Sequence, residues 1–365
     1  MGSELLLTRR QLGHLAVGVV AGAALPPSGE DSLDEGLGLV STRGPEYGGG
    51  LSNHGPMACE ALVALQRPDA VVPFAAAYAR RLEAHPPARS RLESRTAAEA
   101  FGTPARVGDL TAFFAGRIGA DGWRAAIREW VPRLLPGLSA AAFHGAIRTG
   151  HAARSLARRE TAPRRTELAE GLGYWAAQYR ELPGARPAET LPAARALEHL
   201  RPLPPSSRRH GSIARALSAL DGDAAFARAA MLLDVSDPGL ALSNLTASFA
   251  RVYLASAPRG NVIGFLHTVT GPAAVRLLLP HLPPDLASRA VAYAWQGAAA
   301  IYVAMGGSRP VQDVTSAPAD DLIERAVATG DEHAIKLTEA CLREHALRPD
   351  PAYLAAARDA CERLG

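Results

Sequence analysis

Lys336 is the single lysine of a 365-residue chain in which lysine and arginine together number 39. It stands in Asp331-Glu332-His333-Ala334-Ile335-Lys336. Arginine keeps its charge in proteins, whereas a buried lysine can shed its proton and become a neutral, nucleophilic amine. Residues three apart share a face of a helix, so His333 and Lys336 can act on one object. Taken alone, the rarity of lysine is equally well explained by a genome that writes arginine by default. The histidines shift that balance.

The chain has 11 histidines. His14, His85, His199, His210, His281 and His345 adjoin proline, arginine or segment ends and read as solvated or capping side chains. The other five lie in apolar or glycine-containing helical contexts: Asn53-His54-Gly55-Pro56-Met57, Phe143-His144-Gly145-Ala146-Ile147-Arg148, Thr149-Gly150-His151-Ala152, Phe265-Leu266-His267-Thr268-Val269-Thr270, and His333. One histidine on an apolar face is usually a hydrogen-bonded core residue. Five in one helical chain, the last beside the lone lysine, point to a shared ligand. His144 and His151 are two turns apart, about 10.5 Å along a helix axis, so both rings can reach a metal between them. Gly145 and Gly150 would leave room for it. Nitrogen donors without cysteine suit iron, zinc, copper or nickel.

Helices must position these groups. Apolar residues recur at three- and four-residue spacing from Met57 onward, and strand alternation is nearly absent. Helices are expected over 56–65, 71–84, 109–119, 122–135, 139–159, 166–181, 238–255, 262–282, 284–305, 331–346 and 351–363, with Asp109, Ser139, Asp331 and Asp350 as N-caps. The chain therefore reads as all-α: a single large multi-helix domain over 31–365, with a metal site in the helical core. The proline-rich stretch 202–209 reads as a loop within that domain. Gly48-Gly49-Gly50 lacks the strand, spacing and lysine of a phosphate loop.

Composition narrows the function. With 48% hydrophobic and 21% charged residues and a net charge of +3, the chain has the profile of a soluble globular protein. No arginine block interleaves with stacking aromatics, which argues against nucleic-acid binding. Cys59, Cys341 and Cys361 show no CxxC spacing and read as reduced thiols. No dinucleotide fingerprint supports bound NADPH or flavin. Residues 1–30 are set aside as an extra segment. Thr8-Arg9-Arg10-Gln11-Leu12 before a weakly apolar run over 15–25 is similar to a twin-arginine export signal, although Glu4 and His14 fit it poorly, and the run is too short to span a bilayer. A cytoplasmic protein with no membrane association is expected, with export as the alternative.

Five blocks in order, Asn53 to Met57, Phe143 to Ala152, Leu168 to Ala177, Phe265 to Thr270 and Asp331 to Lys336, resemble those of the questin oxidase-like family. The resemblance covers about residues 33–346. It implies an oxygenase that inserts oxygen into, and opens, a ring of an anthraquinone-type or other polycyclic aromatic polyketide, with O2 as co-substrate. It further implies a non-haem Fe2+ held by His144, His151, His267 and His333, with Lys336, carboxylated by CO2, as an anionic oxygen ligand. Five histidines plus Lys336 would fill six positions and leave none open, so one histidine must stand outside. His54, at a helix start, is that residue, and with Thr268 it is expected to act on substrate or oxygen. Phe143, Tyr174, Trp175 and Tyr302 are the expected walls of an apolar substrate cleft. Two rival readings remain: an NADPH-dependent Baeyer–Villiger-type monooxygenase, and a non-catalytic helical metal-binding protein. The oligomeric state is left open.

Overall fold

Periodic apolar residues cut by proline and aspartate stops produce sixteen α-helices among the described residues and almost no strand. The structure, a computed structural model, describes residues 27–185, 189–315 and 318–365. His14, the arginine pair and the apolar run of 15–25 lie outside the described residues. In chain order the helices are α1 (Pro27–Val40), α2 (Gly55–Ala64), α3 (Val71–Ala79), α4 (Val107–Asp121), α5 (Trp123–Leu134), α6 (His144–Arg158), α7 (Ala162–Ala177) and α8 (Ala193–Glu198). They continue with α9 (Ile213–Leu217), α10 (Ala224–Ala229), α11 (Pro238–Ser256), α12 (Val262–Leu278), α13 (Pro284–Met305), α14 (Leu322–Thr329), α15 (Glu332–Leu347) and α16 (Pro351–Leu364). A two-stranded antiparallel hairpin, β1 (Glu46–Tyr47) and β2 (Leu51–Ser52), closes over Gly48, Gly49 and Gly50, all at positive φ. The three glycines make a tight turn.

Helix α6 is the centre of the fold. Every residue from His144 to Leu156 is buried, so it has no solvated face. It packs against α7 on one side, α12 on another and α2 on a third, and α15 reaches it through the Arg154–Glu339 ion pair. Close packing explains its glycines. A Cβ on Gly145 would lie 2.4 Å from Cβ of Trp175 in α7, and one on Gly150 would lie 2.8 Å from the Ala274 carbonyl of α12. These glycines admit neighbouring helices, and the room expected there for a metal is taken by protein.

The expected caps divide. Asp331 accepts from the backbone N–H groups of His333 and Ala334, and Asp350 accepts from that of Ala352. Asp109 instead lies inside α4, where it accepts from the N–H groups of Arg89 and Ser90 and so ties down a loop. Ser139 caps nothing, because α6 begins five residues later, at His144. Helix α1 crosses the boundary drawn at residue 30: Glu30 is buried and accepts from Arg158, and its carbonyl accepts from Arg164. Cys59, Cys341 and Cys361 are buried free thiols. One helical stretch, Val262–His281, is long and apolar enough to cross a membrane, but 78% of its most apolar window is buried in the protein. It is a core helix, and it carries His267.

Candidate metal centre

Four separate elements bring four imidazoles together. His54 precedes α2, His144 opens α6, His267 lies one turn into α12, and His333 lies in the first turn of α15. Ring centroids are 4.5 Å apart for His54 and His144, 4.5 Å for His54 and His333, and 4.7 Å for His144 and His267. One ring nitrogen from each of His54, His267 and His333 falls within 4.8 Å of the others, a spacing that can hold a metal ion. All four residues are buried, at 5%, 7%, 1% and 9% exposure for His54, His144, His267 and His333.

The hydrogen bonds fix the tautomers. Nδ1 of His144 donates to the Ala141 carbonyl, and Nδ1 of His267 donates to the Ile263 carbonyl at 2.7 Å. A neutral imidazole has one N–H, so each Nε2 carries a lone pair. Yet the two Nε2 atoms are 2.9 Å apart, and Nε2 of His144 is also 2.6 Å from Nε2 of His54. A single N–H from His54 can satisfy one of these contacts and not both. Two facing lone pairs at 2.9 Å call for a cation between or beside them. Two adjacent donors on a metal with bonds of roughly 2.1 Å at right angles stand about 3 Å apart, which is the spacing seen.

Protonation is a poor way to supply that cation. Burial holds the pKa values of His54, His144 and His267 well below the ordinary histidine value, and the positive charges of Lys336 and the neighbouring rings push the same way. Neutral rings with inward lone pairs are the form that binds metal. The other ring nitrogens face oxygen, as metal-binding histidines usually arrange. Nδ1 of His54 lies 3.8 Å from Glu332 Oε1, and Nδ1 of His333 lies 3.5 Å from Asp331 Oδ1. Both distances are too long for hydrogen bonds, and both nitrogens are buried without a partner.

Lys336 follows His333 by one helical turn on α15. Its Nζ is buried and has no hydrogen-bond partner. Desolvation brings its pKa down to about 7, against the opposing pull of Glu332 and Asp331. The amine is therefore poised to be neutral, and its charge, when present, acts directly on His54, His144 and His267.

Two histidines stand differently from the expected arrangement. His54, expected outside the cluster, stands within it, because the turn Asn53-His54 is anchored: the His54 N–H donates to Tyr78 Oη, and the Asn53 amide donates to the Val40 and Gly44 carbonyls. His151, expected inside, makes no ring contact with the other four among the described residues. Its Nδ1 donates to Glu60 Oε2 at 2.7 Å, in a network with Arg154.

Thr268 is fully buried and its hydroxyl donates to the Phe265 carbonyl at 2.6 Å, so only its lone pairs remain for a second partner. The four expected wall residues are core residues. Phe143 is wedged between Gly271 of α12 and Gly297 of α13. Tyr174 Oη contacts Ser52 and Glu46, Trp175 Nε1 donates to the Gly137 carbonyl, and the Tyr302 ring abuts Gly307. Two cavities of about 580 and 720 Å³ are lined by other residues, including Tyr293 and Gln296 in the first and Phe113 and Arg117 in the second. Neither is lined by a histidine of the cluster or by any of these four aromatics.

Sequence reasoning missed the buried charges on the helices around the cluster: Glu60, Glu332, Glu339 and Arg154. Their signal was faint but present, since charged residues within otherwise apolar helical stretches must be paired.

The profile of the questin oxidase-like family matches residues 51–341. No curated protein matches the chain significantly.

Proposed function

The chain belongs to the questin oxidase-like family, and from that premise we propose that it is a non-haem iron oxygenase that inserts oxygen into, and cleaves, a ring of a polycyclic aromatic polyketide. The family makes it an oxidase in the context of aromatic polyketides, acting on a small molecule with O2. The observation that supports a metal is the cluster itself: facing Nε2 lone pairs of His144 and His267 at 2.9 Å, together with a buried lysine amine that has no hydrogen-bond partner; the family resemblance supplies iron. Unpaired buried polar atoms are costly unless something binds them.

The residues that would hold the metal are His144, His267 and His333, joined by His54, with Lys336 as the fifth donor. Bound Fe2+ would supply the one-electron chemistry that lets O2 react with an electron-rich ring. The protein's own groups prepare for it. The Ala141 and Ile263 carbonyls hold protons on Nδ1 of His144 and His267, and so hold the donor atoms inward. His54, binding through Nε2, would keep its proton on Nδ1, facing Glu332. The neutral Lys336 amine is the form that captures CO2, and a carbamate there would replace a cation beside the metal with a hard anionic oxygen. Burial of the cluster excludes bulk water from the reacting groups.

The test is direct. Purified protein stripped of metal and reconstituted anaerobically with Fe2+ should consume O2 when given a hydroxyanthraquinone, with no flavin or NADPH. Bicarbonate labelled with carbon-13 should give a carbamate resonance that Lys336→Arg lacks. Full turnover by metal-free protein supplied with flavin and NADPH would instead establish the Baeyer–Villiger-type alternative.

A further inference from the structure

A chain of buried charges runs beneath the cluster, and its hub is Arg154. Arg154 lies on α6, ten residues beyond His144, and is 5% exposed. Its Nε donates to Glu60 Oε1 at 2.8 Å and its Nη2 to Glu60 Oε2, while Nη1 donates to Glu339 Oε1. Glu60 lies on α2, the helix that His54 precedes, and also accepts from His151. Glu339 lies on α15, one turn beyond Lys336, and accepts from Arg343 at 3.0 Å. Arg343 in turn donates to the Ala273 carbonyl of α12, the helix that carries His267. One guanidinium and one relay therefore join the four elements that deliver His54, His144, His267, and His333 with Lys336.

Stability alone is a weak reason for such an arrangement. Burying ions costs several kcal/mol each, and well-packed apolar replacements are often as stable. What a planar fork adds is direction: it meets two carboxylates on two different helices at fixed angles, which a point charge cannot do. We propose that Arg154 is a positioning residue for the metal centre, setting the rotation and height of α2 and α15 against α6 so that the donor nitrogens converge. This rests on the cluster being a metal site.

The experiment titrates Co2+ into metal-free protein, followed by calorimetry and by the visible absorption of the bound ion. The key variant combines Arg154→Met with Glu60→Gln and Glu339→Gln, so that no buried charge of the triad is left unpaired. Arg158 keeps Glu30 and Arg343 keeps Glu344 as partners. We expect a folded protein with 10–100-fold weaker Co2+ binding and a changed absorption spectrum, the loss typical when supports behind metal ligands are removed. Arg154→Lys, which keeps the charge but not the fork, should shift the spectrum the same way and serves if the triple variant does not fold. Arg148→Lys is the control for a merely structural role. Arg148 is an equally buried α6 arginine paired with Glu167 of α7, a helix that carries no cluster group; its loss should lower stability and leave the Co2+ spectrum unchanged. Wild-type affinity and spectrum in a folded triple variant or in Arg154→Lys overturn the inference, as does an Arg148→Lys spectrum altered to the same degree. If His267→Ala, with Arg154 intact, binds Co2+ as tightly as the wild-type protein, the metal reading itself fails, and Arg154 is not the cause.

Discussion

At the scale of single residues, the most consequential group is the Lys336 amine. Desolvation lowers its pKa to about 7 even though Glu332 and Asp331 pull it up, so near neutrality a large fraction is uncharged. Arginine cannot follow it there, because a guanidinium neither deprotonates nor forms a carbamate in a protein. Lys336→Arg should therefore abolish oxygen uptake and reduce the iron retained after gel filtration, although the change is conservative in charge. Lys336→Glu places an anionic oxygen on a shorter stem and should retain more iron than Arg. A Lys336→Arg enzyme with unchanged uptake removes the amine from the chemistry. Much of this was legible in the sequence: His267 and His333 stand in contexts where an apolar helix carries one inward imidazole, and the i, i+3 spacing places Lys336 beside His333. The placement of His54 among the rings and of His151 beside Glu60 was not legible. Periodicity puts His151 on the same face as His144, but which object that face meets is decided by Glu60, a residue 91 positions away.

At the scale of elements, the placement of His144 depends on a short strained run. Ala141, Ala142 and Phe143 have φ of 45°, 56° and 69°, a left-handed conformation that costs non-glycine residues about 1 kcal/mol or more each. The run turns the chain into α6 so that His144 starts the helix, with the Ala141 carbonyl left to accept from its ring. Phe143 secures it. A Cβ on Gly297 would lie 2.3 Å from Phe143 Cζ, and one on Gly271 would lie 2.5 Å from Cγ, so two glycines on two helices shape the slot for one ring. Gly297→Ala should destabilise the protein by about 1–3 kcal/mol through overpacking and weaken metal binding, because the ring and His144 move together. Phe143→Leu in the same chain should recover part of both, measured as a double-mutant cycle of urea midpoints and Co2+ affinity. Additive effects of the two changes would show that the slot does not position His144. The sequence could not reveal this run. Ser-Ala-Ala-Ala-Phe reads as the first turn of a helix over 139–159, and neither glycine nor asparagine marks the positive φ values. The helices on either side were legible because periodicity and stops coincide: Pro284–Met305 has the predicted bounds, and α2, α4, α15 and α16 begin and end within two residues of theirs. Helix α7 runs Ala162–Ala177 rather than 166–181, since Pro163 is a good first-turn residue and the pattern alone did not reveal it.

At the scale of the whole molecule, the buried charges and a metal in the proposed centre would set opposite ends of the stability profile. Desolvation favours protonated Glu339, yet Arg154 and Arg343 outweigh it and hold its pKa at about 2, below the ordinary 4.5. Glu60 is held well below its ordinary value in the same way. A carboxylate with a depressed folded-state pKa contributes stability that is fully present above the unfolded value and is lost as pH falls toward the folded one. Metal-free protein should thus lose stability steeply between about pH 4.5 and 2, and Glu339→Gln should flatten that limb while lowering the neutral plateau; an unchanged acid limb would show that Glu339 is not charged in the fold. A metal bound in the proposed centre would work at neutral pH and act across the chain, because its donors would span residues 54 to 336. A ligand that binds only the native state stabilises it by about 2.7 kcal/mol at a hundredfold excess over Kd. Since the proposed donors stand at the start of α2 and on α6, α12 and α15, that gain would belong to no single helix. Hydrogen exchange in all four should slow together on adding Co2+ to metal-free protein, while the outlying helices α8, α9 and α10 change little. Protection confined to α15, where His333 and Lys336 are neighbours in sequence, would mean that the metal is bound locally and that the four-element centre does not form.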